Sequence, residues 1–540
     1  MLRQVAVLAF AALGAAHLGG AAARAITWEE AEAAGLRFNR VVVEAADVFD
    51  PRLPDERHAL GRAANAIHRT TRDGVVRGAL LFAPGDRVAA ARVRESERRL
   101  RGLTWIIDAA IEPREAGPGL VDAMVRTHDG WSLSLGLKYN RAGGDALWRV
   151  SVDEDNLLGW GKMLSVARER DLDRSTTEFA YRDPLLAGGP WTLDLAYRDL
   201  SDGASRRVKV ERPFHELAAP WSAGGEFRRS ELDIERYQRG EVAYAFPARL
   251  EDARLFWMWL VRLEDRTAWR AGLEALSSER GYGELEIARP GLLGEPELRP
   301  QRLRGLLAVG EVSQDRYECF RNLCSVDSVE DVNLGWDAAV KGGRMSRALG
   351  SDVEAWYAEG RWRGGARAGA GVLLLHEGEG RARLEEGEGV RDAFLRARES
   401  LYWQGLPLQT IAARLDLSWS RRPDPEHALY LGGFEGLRGY PNRFRQGERS
   451  WLVSVEDRLV TPWRLWGIAQ VGFVAYADAG AIAAEEAGFG RTWADVGAGL
   501  RFGNLKGTLS RVVQLTLAVP LVREEGVPRW QLVVGNTARF

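Results

Sequence analysis

From Trp131 onward, bulky apolar side chains alternate with small or polar ones at a period of two. In Trp131 to Tyr139 the odd positions are Trp, Leu, Leu, Leu and Tyr, and the even ones Ser, Ser, Gly and Lys. Successive side chains of a strand point to opposite faces, so one face of this segment suits an apolar medium and the other a polar one. The pattern recurs in Trp191, Leu193, Leu195 and Tyr197, in Leu415, Leu417 and Trp419, and in Val513, Leu515, Leu517 and Val519. The apolar faces often begin or end with Trp or Tyr, and the polar faces carry full charges at mid-strand. That combination suits a wall with lipid outside and a wet lumen inside better than a soluble sandwich. Strands of about 9 to 11 residues, with short turns and longer outer loops, fit about sixteen strands between 130 and 540, which predicts a closed transmembrane antiparallel β-barrel. Residues 265 to 400, including the charged stretch Glu377 to Gly389, are expected to hold the longer surface loops. Leu255 to Val261 is a continuous apolar run, read as a strand whose inward face is locally covered.

The stretch before the barrel is different in period. Residues 26–129 mix β-branched and helix-prone segments: Val41-Val42-Val43, then Glu56 to Arg69, then Val93 to Leu103, then Trp105-Ile106-Ile107 and Leu120 to Thr127. Pro113, Gly117, Pro118 and Gly119 mark the turn between the last two. The expected order is strand, helix, helix, strand, strand, in one small α+β domain. Residues 1–25 read as a secretory signal, with Arg3, an apolar run from Val5 to Leu18 and the small-x-small site Ala23-Arg24-Ala25.

Composition narrows the function. Glycine (60) and tryptophan (20) are abundant, as aromatic girdles and tight turns require, and the net charge of −2 leaves no footprint for nucleic acid. Beyond residue 25 no apolar stretch is long enough for a transmembrane helix. The chain has no His-Glu-x-x-His, Gly-x-Ser-x-Gly or phosphate-binding loop, and His376-Glu377 lacks a second His at the required spacing. The expectation is a non-enzyme without cofactor or metal. Cys319 and Cys324 lie close together in an exported chain, and a local disulfide pinning a loop is expected.

Several motifs then converge. Gly432-Gly433-Phe434-Glu435-Gly436-Leu437-Arg438-Gly439-Tyr440 is followed by Val455-Glu456-Asp457-Arg458, Tyr476-Ala477-Asp478-Ala479-Gly480 and Gly497-Ala498-Gly499-Leu500-Arg501, and is preceded by Asp155-Asn156-Leu157-Leu158-Gly159-Trp160-Gly161-Lys162. In this order they resemble the signatures of the outer-membrane assembly and translocation superfamily of BamA, TamA and the two-partner secretion transporters. The final strand, ending in Phe540, resembles the C-terminal signal of outer-membrane barrels, with Asn536 departing from its usual pattern. The N-terminal order of elements resembles a POTRA domain, with Leu80 to Asp86 as its core strand and turn. An arginine on a loop folded into the lumen can fork between inward carboxylates, and Arg438 with Glu456 and Asp478 fits that chemistry as a wet pair worth about 1 kcal/mol. Gly436 and Gly439 are expected to let the chain turn sharply, and Tyr440 to pack on the wall.

The resemblance implies an outer-membrane factor that helps client polypeptides insert into, or cross, that membrane. The POTRA-like domain would lie in the periplasm, and the partners would be clients, periplasmic chaperones or accessory proteins, and lipid. A weak seam between the first and last strands would template client strands, with Leu135 and Val534 near one another across it. A two-partner secretion channel and a passive porin are the competing readings.

Overall fold

In a computed structural model the chain is described over residues 26–48, 68–103, 105–130, 132–290, 294–324, 326, 329–465, 469–484, 487–504 and 512–535. The expected signal, most of the expected helix Glu56 to Arg69, Trp131, Asn536 and Phe540 lie outside the described residues. The chain divides into two compact units, 1–130 and 131–540.

The first unit contains helices α1 (Trp28–Ala33), α2 (Asp73–Ala79) and α3 (Ala90–Arg101), and strands β1 (Arg37–Ala46), β2 (Ile106–Gly117) and β3 (Leu120–Asp129). The sheet order is β1-β3-β2, with β1 and β3 parallel and β2 and β3 antiparallel. Thr27 caps α1 in a capping box with Glu30. The expected core strand at Leu80 to Asp86 does not form. Leu80 ends α2, Pro84-Gly85 turns, and Phe82 instead stacks on Phe38 of β1 at 4.2 Å. At the end of β3, the fully buried Asp129 accepts from Thr71 N–H (2.6 Å) and lies 3.1 Å from His68 Nε2, which ties residues 68–71 to the sheet.

Over the described residues the second unit is a closed antiparallel barrel of 20 strands, each paired with its predecessor around the wall, and the two-residue strand Glu286–Ile287 pairs beside them on Glu241–Glu264. This corrects the expected sixteen. The charged, glycine-rich stretch from 265 to 400 is not mainly loop. It forms Thr267–Tyr282, Gln301–Gln314, Asp337–Met345, Ala355–Gly369, Val372–Glu385 and Gly389–Trp403. Charge reads as loop only where a strand's second face is dry. Here that face lines a wet lumen, where Glu377 pairs with Arg398, Arg381 with Asp392, and Arg383 with both Glu385 and Asp424.

The opposite parity is apolar and uncovered. Leu135 is 70% exposed and Leu255 68%, with Leu133, Leu137, Trp257, Trp259, Leu273 and Leu306 also exposed. A continuous band of this kind has no place in water, and it makes the wall one of the outer-membrane type. Leu255 to Val261 belongs to the longest strand, Glu241–Glu264. Its odd residues face out, while Met258 is buried and Phe256 half-buried.

Wall height varies around the circumference. The strands Trp221–Gln238 and Glu241–Glu264 contain 18 and 24 residues, whereas the first strand, Leu133–Ala142, contains 10 and Met163–Arg170 contains 8. The last described strand, Gln531–Gly535, returns to the first and closes the barrel through the pair Val534↔Arg141. Leu135 therefore does not face Val534 as expected; the register places Val534 six residues further along the first strand.

The inward and outward parities make a direct test. Leu273→Arg, on the lipid face, is expected to destabilise the barrel by about 2–4 kcal/mol in urea unfolding from lipid vesicles. Arg254→Lys on the lumen face should cost less than about 1 kcal/mol, and equal effects would contradict the assignment.

Candidate functional site: the lumen loop and its carboxylates

The connection 422–448 joins Gln409–Arg421 to Arg449–Leu465 at the end of the barrel away from the start of the first strand. It folds as a small hairpin, Leu429–Leu431 with Arg445–Gly447, and its tip turns inward. Two glycines allow this for different reasons. Gly436 has φ +123, and a Cβ there would sit 2.0 Å from Leu452 Cδ2. Gly439 has no left-handed backbone; its role is close approach, since a Cβ would meet Asp495 Cβ at 2.8 Å.

Arg438 then reaches the wall. Its Nε and Nη2 donate to the two oxygens of Asp478 at 2.7 and 2.8 Å, and Nη1 donates to Glu456 Oε1 at 2.6 Å. The guanidinium lies over the Tyr476 ring, 3.4 Å from its centroid. Asp478 is on Ala469–Ala483 and Glu456 on the neighbouring Arg449–Leu465, both with inward parity. The pair is not wet: the side chains of Asp478, Glu456 and Arg438 are 0%, 3% and 17% exposed. The expected value of about 1 kcal/mol for a solvated pair therefore does not apply. Removing one member of a buried set leaves the others desolvated and costs about 3–5 kcal/mol.

Other loop residues anchor the tip. Leu437 is fully buried with Leu429, Leu431, Leu452, Ile482 and Trp493. Tyr440 is also fully buried. Its hydroxyl lies 3.0 Å from the Ala494 and Val522 carbonyl oxygens and accepts from Val522 N–H at 3.2 Å. At the early turn, Asn156 Oδ1 accepts from Gly161 N–H (2.7 Å), and Lys162 Nζ lies 3.1 Å from Asp183. Cys319 and Cys324 do not form the expected disulfide. Cys319 is exposed on the hairpin strand Tyr317–Arg321, while Cys324 is half-buried with Sγ 3.7 Å from the Tyr402 hydroxyl.

No family model matches the chain, and no curated protein matches it in sequence. Among solved structures it is similar to BamA from Haemophilus ducreyi lacking POTRA domains 1–3, with TM-score 0.45, 14% identity, and 93% of this chain and 84% of that one covered. It is also similar to CdiB from Acinetobacter baumannii (TM-score 0.45, 13% identity, 93% and 73% covered) and CdiB from Escherichia coli (0.43, 11%, 93% and 76%). These likenesses are of low identity.

Three features of the site were not read from the sequence. Arg458, two residues after Glu456, shares its face and donates from Nε to Glu456 Oε2 at 2.8 Å; strand parity alone would have found it. Asn442 Nδ2 donates to Ala142 O (2.6 Å) and Asp145 Oδ2 (3.1 Å), at the end of the first strand. Arg443 forks onto Asp173, in the second turn at that end of the barrel, with Nη2 to Oδ2 at 3.0 Å, and Tyr237 Oη donates to Asp173 Oδ1 at 2.9 Å. No spacing signals which turn a loop residue will meet.

Arg438→Ala is expected to lower the unfolding midpoint by an amount equivalent to about 3–5 kcal/mol and to expose loop 422–448 to protease. Arg438→Lys should recover only part of this, because an ammonium cannot fork; full recovery would contradict the fork. Burial opposes the charge on Asp173, but the hydrogen bonds and charge of Arg443, with the Tyr237 hydroxyl and the charge of Arg174, outweigh it and hold the carboxyl below its usual range. A depressed folded pKa stabilises above the unfolded value and is lost as pH falls. The loop should therefore loosen below about pH 4, read as faster amide exchange at 442–444. Asp173→Asn should abolish that component, and an unchanged acid response in the variant would refute the assignment.

Proposed function

We propose that this chain is an outer-membrane assembly factor that inserts client polypeptides through the seam between its first and last strands. One observation carries the reading: the loop that holds Arg438 also braces the seam from inside. Asn442 holds the Ala142 carbonyl at the end of the first strand. Phe434 packs on the cluster of Ala142, Val474, Tyr476, Ala518 and Val533, which contains residues of both seam strands. A wall pair held by an exchangeable loop can be released without unfolding the rest of the ladder.

The physics of clients supports the same reading. A strand entering lipid carries unpaired backbone groups that each cost several kcal/mol, and an opened strand edge offers them partners. The short strands beside the seam, against a wall of up to 24 residues elsewhere, favour local thinning of the bilayer where a client would enter. The N-terminal unit, taken as a POTRA-type module in the periplasm, would add a client strand at a sheet edge and receive it from chaperones or accessory proteins.

Secretion through the lumen is the second reading. It is favoured by insertions that occupy the lumen from both ends and would leave a wide channel if withdrawn. A cysteine pair at Arg141 and Val534 separates the two. Oxidation is expected to stop insertion of a barrel client into proteoliposomes, with reductant restoring it. Passage of a soluble client with a locked seam would favour secretion, and insertion unaffected by the lock would overturn the assembly reading.

A further inference from the structure

The connection between Gln301–Gln314 and Asp337–Met345 lies at the end of the barrel where the first strand starts. It forms a hairpin, Tyr317–Arg321 paired with Val329–Asn333. The described residues of its tip, 322–324 and 326, lie inside the lumen. Leu323, 2% exposed, packs with Leu373, Tyr402 and Ala412, and Val326, 3% exposed, with Val460 and Val512. The tip thus reaches from the strands it leaves to Val512–Pro520, which pairs with the last described strand.

The way the wall holds this tip is specific. Four consecutive main-chain carbonyls each accept from a side chain of the wall or, for Gln404, of the turn that follows Trp403: Arg321 O from Gln404 Nε2 (2.6 Å), Asn322 O from Thr410 Oγ1 (3.0 Å), Leu323 O from Arg458 Nη1 (2.5 Å) and Cys324 O from Arg501 Nη2 (3.0 Å). Two of the tip's own N–H groups are met within the hairpin, where Glu330 Oε1 accepts from Leu323 and Cys324 N–H at 3.0 Å. Asn322 has φ +58, the backbone of a tight turn. The wall therefore reads a turn through its carbonyls, with two apolar recesses three residues apart. Beside the row, the buried Arg501 Nε and Gln514 Nε2 have no hydrogen-bond partner among the described residues.

We infer that this row of donors is a seat for the turn of a client β-hairpin, occupied here in cis by the chain's own hairpin. The identity of the occupant rests on the assembly reading; the seat itself does not. Antiparallel barrel clients consist of strand pairs joined by short turns, and such turns favour Asn or Gly at positive φ, as at Asn322. Recognition through main-chain carbonyls is indifferent to most side chains, which suits a factor serving many sequences. The seat is also wired to the lumen loop. Arg458 Nε donates to Glu456 Oε2, and the other oxygen of Glu456 accepts from Arg438. Exchange of the hairpin for a client turn therefore reaches the seam brace.

The test uses the intact chain in lipid nanodiscs and, as probe, a synthetic peptide of residues 317–333 with serine in place of both cysteines. Millimolar peptide is expected to displace the resident tip and speed amide exchange at Leu323 and Cys324 at least tenfold. A scrambled peptide that keeps Asn at the turn, with Leu and Val one and four residues after it, should do the same. Gln404→Ala with Thr410→Ala should speed exchange there without peptide and weaken peptide binding roughly tenfold or more. In a second arm, a chain with 317–333 replaced by a Gly-Ser linker should conduct in planar bilayers and be closed by the peptide. Failure of the peptide to displace the tip, or closure insensitive to the two wall substitutions, would overturn the seat. Client insertion is read separately: peptide binding by a chain that inserts no client would overturn the assembly reading and leave the seat standing.

Discussion

In a bilayer no water reaches the peptide groups, so each strand of a membrane-crossing sheet must find both its neighbours within the protein. An open sheet fails that condition at its edges; a closed one meets it with a single junction between first and last strands. The apolar outer face from Leu133 to Leu532 and the charged inner face from Arg149 to Arg501 follow from putting lipid on one side of this cylinder and water on the other. The junction carries the contradiction, because it must be closed for stability and opened for any function that passes through the wall.

The lumen answers with inserted chain rather than with a longer ladder. From one end, loop 422–448 sets Asn442 on the first strand and Phe434 against residues of both seam strands. From the other, the hairpin around Leu323 reaches Val512 on the strand next to the last. A continuous set of charge-assisted contacts joins them: Asp478 to Arg438, Arg438 to Glu456, Glu456 to Arg458, and Arg458 to the Leu323 carbonyl. Buried charges of this kind add little net stability, but each is costly to leave alone. Moving either insertion leaves a member of this buried set short of a partner, so neither leaves the lumen without a cost.

Much of this architecture is legible in the sequence. Alternation at Leu133 to Tyr139 and at Val513 to Val519 marks the faces of the wall, because strand parity is local geometry. Glu377 to Gly389 carries the same parity yet reads as loop, because inward charges and outward glycines look like a surface turn unless the inside is wet. The strand count failed for that reason. Arg438, Glu456 and Asp478 stood out as motif residues, yet their depth did not, nor did the Tyr476 ring beneath the guanidinium. Cys319 and Cys324 look like a pair by spacing, but the hairpin turns one outward and the other to Tyr402.

The chain alone determines which residues face lipid and which face water, where the two units divide in character, and which loop carries an arginine suited to carboxylates. These are set by neighbours one, two or a few residues apart. The number of strands, the register of Val534 on Arg141, the meeting of Asn442 with Ala142 and the seating of the hairpin on Gln404, Thr410, Arg458 and Arg501 join residues separated by tens to hundreds of positions. Only closure of the cylinder brings them together, because the radius of the wall decides what a loop folded inside it can reach.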